Sequence, residues 1–582
     1  MSYLVNDPDT FIEEMIDGFV AVHGEIVQRV DGGVCRAAPT PRGQVALVIG
    51  GGSGHYPAFA GLVGPGLAHG AAMGHVFASP SAHQVYEVAR AAASDSGVLL
   101  SYGNYAGDVL NFDAAQERLR AEGIPTRTVV VTDDISSAGP DQRGLRRGVA
   151  GDLPVFRAAA WAAEEGRSLD ETWEVAHRAN ERTRTLGVAF SGCTLPGAEA
   201  PLFTVPAGRM AVGLGIHGEP GIEEQDIPTA RELANELVDR LLDEAPGVSG
   251  AGGDRVAVVL NGLGSIKSEE LFVVYGQVAK RLDAAGLIVV QPEVGEFATS
   301  FEMAGLSLTL MWLDDELERA WTSPAATAAY RRGAMTPPAD STDGHPPRST
   351  PAPSLPPSTP RASSDSQSAA AGLADCVRAI RGTVTENVDR LGRLDAVAGD
   401  GDHGIGMQRG VTAAAAAADA AVDAGAGART TLLAAADAWA EHAGGTSGAL
   451  WGLGLRAMAE RFSDDLPASA TGIVGGVADA RDAVMRVGKA RLGDKTLLDS
   501  LIPFSERLAA DVRDGTPLST AWVTAAEVAT TAAEATAELL PLTGRARAHT
   551  QRSVGSPDPG AVSFALAVTA IGALVAGKKA SA

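Results

Sequence analysis

Three aspartates near residue 400 have the residue type and spacing for metal chemistry. In the run LDAVAGDGDHG, from Leu394 to Gly404, Asp395, Asp400 and Asp402 stand five and two residues apart. That spacing cannot place all three on one face of a regular helix, so they must converge from a loop. Gly399, Gly401 and Gly404 let the backbone turn tightly there. Crowded carboxylates repel unless a hard cation neutralises them, and an all-oxygen donor set suits magnesium. An EF-hand needs Glu at its twelfth position, which counted from Asp400 is Val411, so calcium by that route is excluded. The plain alternative is a solvated Asp/Gly turn.

Two further loops carry complementary chemistry. The run AGGTSG, from Ala443 to Gly448, precedes a helical stretch, so its amides and the hydroxyls of Thr446 and Ser447 suit an anion at a helix N-terminus. Gly/Ser turns also serve as ordinary caps. The run GSPDPGA holds Asp558 between two prolines just ahead of the last apolar stretch. An acid cluster, a hydroxyl and glycine loop and a rigid rim together suggest a nucleoside-triphosphate site with its metal. No Walker motif is present: the nearest miss, Gly572 to Lys579, has Lys where Ser or Thr is required.

Nearer the N-terminus, GGGSGHYP follows a β-branched run and combines a glycine turn with Ser53 and His55. It lacks the GxGxxG spacing of a dinucleotide fingerprint. The run GNYAGD offers Asp108 as an acid or base, and VGLGIHGEPG flanks His217 with glycines that clear space for a ligand. A lone histidine is often merely structural.

The elements that must position these residues fall into two halves. From Gly333 to Gly372 the composition turns rich in Pro, Ser, Thr and Ala, with nine prolines among the 24 residues from Pro337 to Pro360. Such a stretch builds no core and reads as a linker. Before it, β-branched runs such as Val45 to Ile49, Gly97 to Leu100, Thr128 to Thr132, Arg255 to Leu260 and Leu287 to Val290 alternate with amphipathic stretches, the pattern of α/β layers. Ligands in such sheets gather at the carboxyl ends of strands. After it, long Ala/Leu-rich stretches predict a helical bundle. Ala561 to Gly577 is apolar but shorter than the ~20 residues of a spanning helix, and reads as a buried bundle helix.

At 582 residues the chain is too long for one core. A formal charge of −24 would repel nucleic acid and anionic membranes, which leaves small-molecule chemistry. Three cysteines without a CxxC pair argue against a disulfide framework or zinc finger and fit a reducing cytoplasm. No secretory signal is visible at the N-terminus.

Taken together, the motifs resemble the dihydroxyacetone kinase family over nearly the whole chain: GGGSGHYPAFAG, GHVFASPS, GNYAGDVLNF, VTDDIS, LGIHGEPG and TSFEMAG in the first half, and LDAVAGDGDHG, GGTSGALWG, GDKTLLDSLIP, GRAR and PDPGA in the second. The resemblance implies a multidomain chain. Residues 1–335 would form an α/β ketose-binding domain of two α/β subdomains, 336–371 a linker, and 372–582 an all-helical, barrel-like ATP-binding domain, with phosphoryl transfer between the domains. It implies that His217 adds to the substrate's carbonyl carbon as a hemiaminal, with Gly52, Ser53, His55 and Asp108 completing the ketose site. His55 and Asp108 would polarise the sugar and accept the proton of its attacking hydroxyl. Asp395, Asp400 and Asp402 would hold magnesium. Gly445, Thr446, Ser447, Gly448, Asp494, Arg545, Asp558 and Gly560 would line the nucleotide. A fused chain implies free ATP as donor, and the family resemblance implies a cytoplasmic homodimer. An FAD-cleaving lyase activity of the helical half with manganese, and a sugar-sensing coregulator, are the rival readings. The intact acid cluster and phosphate loop argue against the sensor. Gly103 stands where many members of the family carry Lys, and removal of that long cation is expected to admit a larger ketose, so a tetrulose such as erythrulose competes with dihydroxyacetone.

Overall fold

Val45, Leu47 and Ile49 point to one side of a strand and Ala46 and Val48 to the other, and all five are fully buried. Such a strand needs an apolar layer on each face. The computed structural model describes residues 4–198, 200–247, 254–334, 362–399, 401–542 and 553–580. It divides the chain into two compact units, Met1–Met335 and Thr336–Ala582.

The first unit holds two large sheets and a two-stranded ribbon pairing Ala325–Ala326 with Arg331–Arg332. Strands β1 (Val27–Val30), β2 (Gly33–Arg36), β3 (Ala46–Ser53), β4 (Gly70–Val76), β5 (Val98–Gly103) and β6 (Thr126–Val131) form one, ordered β1-β2-β4-β3-β5-β6. Its core β4-β3-β5-β6 is parallel. The second is mixed: β7 (Thr183–Ala189), β8 (Arg209–Val212), β9 (Glu223–Asp226), β10 (Arg255–Gly262), β11 (Ile288–Val289), β12 (Glu293–Gly295) and β13 (Gly305–Trp312) are ordered β11-β10-β13-β7-β8-β9, with β12 also paired to β10. Helices α1 (Phe11–His23), α2 (Ala82–Ala92), α3 (Ala106–Ala121), α4 (Asp152–Glu164), α5 (Leu169–Glu181), α6 (Ala230–Asp243), α7 (Ser268–Ala284) and α8 (Asp315–Thr322) cover the sheets.

Alternation along the strands sets the layering. Ala46 and Val48 of the first sheet share a core with α2 and α3. Leu47 and Ile49 pack on α4, and α4 also meets Ala257 and Val259 of β10 and Met311 of β13 in the same core. Val256, Val258 and Leu260, the alternate residues of β10, pack under α6 and α7. Helix α4 is therefore caged between the sheets, with every residue from Asp152 to Ala163 buried. This explains why LPVFRAAAWAA carries no polar stripe. Its one long cation, Arg157, donates to the carbonyls of Gly66 (3.0 Å) and Trp321 (3.2 Å) and to Ser323 Oγ (2.9 Å).

The second unit is helical: α9 (Ser364–Glu386), α10 (Val388–Asp395), α11 (His403–Asp423), α12 (Ala428–Ala443), α13 (Gly445–Ala459), α14 (Ala470–Gly488), α15 (Leu498–Arg513), α16 (Leu518–Ala535) and α17 (Pro559–Ala580). No strand occurs among its described residues. Helix α9 starts eight residues inside the stretch read as linker, because Ser363 caps it by accepting from Ser366 N. Helix α17 is longer than the sequence reading gave it. Residues Pro559–Gly577 are long and apolar enough to span a membrane by length and hydropathy alone. Ala561, Val562, Phe564, Ala565 and Val568 nevertheless pack into the core shared by α15 and α16.

The caging of α4 is testable by overpacking. Ala159 is fully buried, so Ala159→Leu should destabilise the first unit by about 1–3 kcal/mol, read by denaturant unfolding. An unchanged midpoint would contradict the two-sided burial.

Candidate active site

In the first unit, two histidines 162 positions apart in the chain meet at the sheet ends. His55 follows β3 and His217 lies in the loop between β8 and β9, and their Nε2 atoms stand 2.9 Å apart. Each ring is held from behind. His55 Nδ1 lies 2.7 Å from the Thr299 carbonyl oxygen, and His217 Nδ1 lies 2.9 Å from Glu219 Oε1. Phe77 stacks on His55, and Tyr105 and Phe77 present T-shaped contacts to His217. Both histidines are buried, and burial followed by the neighbouring His217 pushes His55 down to about 3. His55 is therefore neutral at working pH.

Ser53 is buried and donates to the Gly74 carbonyl at 2.6 Å, which leaves its oxygen lone pairs for a ligand. Asp108 is buried in the first turn of α3, one turn beyond Tyr105. Burial, then the charge of Glu219, raises the Tyr105 phenol well above its ordinary range. Gly52 lies at the end of β3, where a Cβ would stand 2.8 Å from the backbone of Phe77 and Ala78.

Two sequence expectations change here. A Cβ on Gly215 would collide with Glu219 Oε2 and stand 2.5 Å from Arg147 Nη1. This glycine beside His217 clears room for the protein's own charged groups, not for a ligand. At Gly103, a Cβ would already touch Gly148 Cα and the Tyr105 ring at 3.3 Å. The place of the family's lysine is filled by the 146–148 loop, so its absence does not by itself enlarge the pocket.

In the second unit, Asp395 ends α10 and Asp402 immediately precedes α11. They come close enough that burial, followed by the charge of Asp395, raises Asp402 to about 7. Asp400 and Arg545 lie outside the described residues. Among the described residues no group of three or more His, Cys, Asp or Glu is gathered for a metal. The crowded pair of carboxylates still fits a hard cation, which would relieve their repulsion.

A residue without a role in the sequence reading ties this region together. His403, the first residue of α11, sets Nδ1 3.3 Å from Ser447 Oγ and Nε2 2.9 Å from Ser563 Oγ. One buried imidazole thus joins the acid turn, the first turn of α13 and the start of α17. Gly445, Thr446, Ser447 and Gly448 form that first turn of α13; the Gly448 amide donates to the Gly444 carbonyl at 3.1 Å, and the leading amides of residues 445–447 suit an anion. Asp558 Oδ1 accepts from Ala561 N at 2.7 Å and so caps α17, and burial raises its carboxyl to about 7. Gly560 sits above it, where a Cβ would stand 3.1 Å from Asp558 Oδ1 and 3.5 Å from Leu497 N. Asp494 accepts from Arg491 N at 2.9 Å, and its carbonyl accepts from Leu542 N at 3.2 Å. Lys495, to which the sequence reading gave no role, donates through Nζ to the carbonyls of Leu539 (3.1 Å) and Ser553 (2.6 Å).

Comparison with known proteins gives a consistent picture. Residues 17–329 match the Dak1 domain and residues 397–573 the DAK2 domain. An L-erythrulose kinase of Pectobacterium atrosepticum is 55% identical over 99% of this chain and 97% of its own. An L-erythrulose 1-kinase of Mycolicibacterium smegmatis is 53% identical over 98% and 99%, and a D-erythrulose kinase of that organism is 52% identical over 97% of each. The crystal structure of the dihydroxyacetone kinase from C. freundii in complex with AMP-PNP and Mg2+ is 28% identical, covering 98% of this chain and 99% of that one with a TM-score of 0.52.

The low His55 value has a definite sign. In the folded chain His55 takes its proton only near pH 3, against an ordinary 6.5. As pH falls below 6.5 the unfolded chain binds a proton that the folded chain refuses, so stability drops by up to about 1.4 kcal/mol per pH unit from this group. His55→Asn should flatten that acid limb in denaturant unfolding between pH 7 and 5. An unchanged slope would show that His55 does not carry it.

Proposed function

This chain belongs to the dihydroxyacetone kinase family, and on that premise we propose that it is an ATP-dependent ketose kinase which phosphorylates a primary hydroxyl of erythrulose. The observation that carries the reading is the buried imidazole pair, with His217 Nε2 facing the site and Glu219 fixed behind Nδ1. An imidazole Nε2 is a nucleophile, and a ketone carbonyl is an electrophile that a simple polyol lacks. A ketose entering between the two rings forms a carbon–nitrogen bond to His217, and its carbonyl oxygen takes up a proton beside His55. The resulting hemiaminal holds the sugar in one orientation, which is most of what phosphoryl transfer asks of a protein. Asp108 then accepts the proton of the attacking hydroxyl as the oxygen–phosphorus bond forms and ADP departs. Ser53 and the backbone at Gly52 line the sugar.

The helical unit supplies the donor. The amides and hydroxyls of residues 445–448 seat the phosphates of ATP, with Asp494, Arg545, Asp558 and Gly560 around the nucleoside. Asp395, Asp400 and Asp402 would hold magnesium, which when bound neutralises phosphate charge. His403 fixes the acid turn against the phosphate-binding turn through Ser447, so their relative placement is set before nucleotide arrives. The choice of a four-carbon ketose is supported by the relatives' names and by their identity over nearly the full chain.

Steady-state kinetics with ATP and magnesium should give kcat/KM for one erythrulose enantiomer above that for dihydroxyacetone. ADP release at background with every C3 to C5 ketose would overturn the kinase reading. His217→Ala should lose selectivity for carbonyl substrates, and Asp400→Ala should abolish turnover while sparing ketose binding. Retained turnover in the second variant would refute the metal assignment.

A further inference from the structure

Behind His217 lies a charged group to which the sequence reading gave no role. Arg147, on the loop before α4, points its guanidinium into the rear of the site. Nε donates to Asp134 Oδ2 at 2.9 Å, Nη2 pairs with the same oxygen at 2.8 Å, and Nη2 donates to the Gly213 carbonyl at 3.1 Å and to Ser136 Oγ at 3.3 Å. Nη1 stands 3.8 Å from Glu219 Oε2. Glu219 in turn grips His217 twice: Oε2 accepts from the His217 amide at 3.0 Å, and Oε1 faces Nδ1 at 2.9 Å. All three charged side chains are largely buried, at 12%, 5% and 13% exposed for Arg147, Asp134 and Glu219.

The charges and protons can be followed through the reaction. Arg147 contributes +1 and the two carboxylates −2, so the group carries a net −1. Both Nδ1 atoms face acceptors, Thr299 O and Glu219, so each Nδ1 bears a hydrogen. When Nε2 of His217 bonds to the ketose carbonyl carbon, the π electrons move to oxygen and a proton taken up from solvent completes the hydroxyl. The hemiaminal then holds an N-alkylated imidazolium, +1 against the −1 of the charged group. The assembly meets the adduct's charge without reorganising, as a preorganised site must.

We propose that Arg147, Asp134 and Glu219 form a positioning triad that sets the orientation and charge of His217 for covalent capture of the ketose; this rests on the kinase reading with its hemiaminal. Arg147 lies behind Glu219 and acts through it. The backbone delivers Arg147: a Cβ on Gly148 would stand 2.4 Å from Gly103 Cα, so glycine at 148 lets the loop dock on the end of β5. Gly215 keeps the Arg147–Glu219 approach open on its other side.

The test uses the full-length protein and erythrulose labelled with 13C at its carbonyl carbon. Wild-type protein should convert the trigonal carbon resonance into a tetrahedral one. Glu219→Gln, nearly isosteric, should lower the adduct population about ten- to a hundred-fold, the worth of one charge-assisted hydrogen bond, and Arg147→Met, which removes the ion pair behind it, should lower it several-fold. Arg147→Lys, which keeps the charge but loses the fork, should fall between them and wild type. Nucleotide affinity, measured in the same samples, should not move. Adduct in wild type with equal adduct in Glu219→Gln and Arg147→Met overturns the triad alone. No adduct in wild type, with turnover intact, overturns the hemiaminal on which it rests. If circular dichroism shows Arg147→Met unfolded, Glu219→Gln decides.

Discussion

An approach of two imidazole Nε2 atoms to 2.9 Å is tolerable only when something organises the protons around it. Here each ring is pinned at Nδ1 by a fixed acceptor, the Thr299 carbonyl on one side and Glu219 on the other. Those acceptors come from segments far apart in sequence, so the contact exists only once both sheets have formed around α4. The first sheet delivers His55 at the end of β3. The second delivers Thr299 and the loop carrying His217 and Glu219. The chemistry depends on this convergence, because a nucleophilic nitrogen that can swing freely captures nothing.

The helical unit follows the same logic with oxygen ligands. Burial places carboxylates where neither solvent nor a nearby cationic side chain discharges them fully, and Asp402 and Asp558 respond by holding protons up to about pH 7. A fold that leaves acids in this condition is poised for a partner of opposite charge. His403 keeps the surrounding turns in register by bonding two serines from different helices.

Much of this was legible in the sequence, and the boundary has physical reasons. Glycine and aspartate clusters at the ends of β-branched runs marked His55, Asp108 and His217, because tight turns and polar residues at strand ends are written locally. The two-part fold was equally plain, since the proline-rich stretch separates alternating runs from long alanine-rich ones. Arg147 carried no such mark, and Glu219 and His403, although within the runs LGIHGEPG and LDAVAGDGDHG, were given no role. Arg147 sits in a stretch with several arginines, and only the docking of Gly148 on Gly103 distinguishes it. The glycines around His217 were read as space for a ligand, whereas Gly215 makes space for Glu219 and Arg147, a distinction that depends on tertiary packing. The same limit applied at Gly103, where a missing lysine suggested a roomier pocket and a neighbouring loop fills the place.

The enclosure of α4 between the two sheets bears on how the first unit folds. Each sheet borrows one of its apolar covers from the same helix, so neither has a complete core of its own. A nascent chain that has made only the first sheet exposes the side of α4 that awaits Ala257, Val259 and Met311. The two sheets should therefore melt together as one cooperative block despite their different topologies. A fragment ending before β10 would present an open greasy surface prone to self-association.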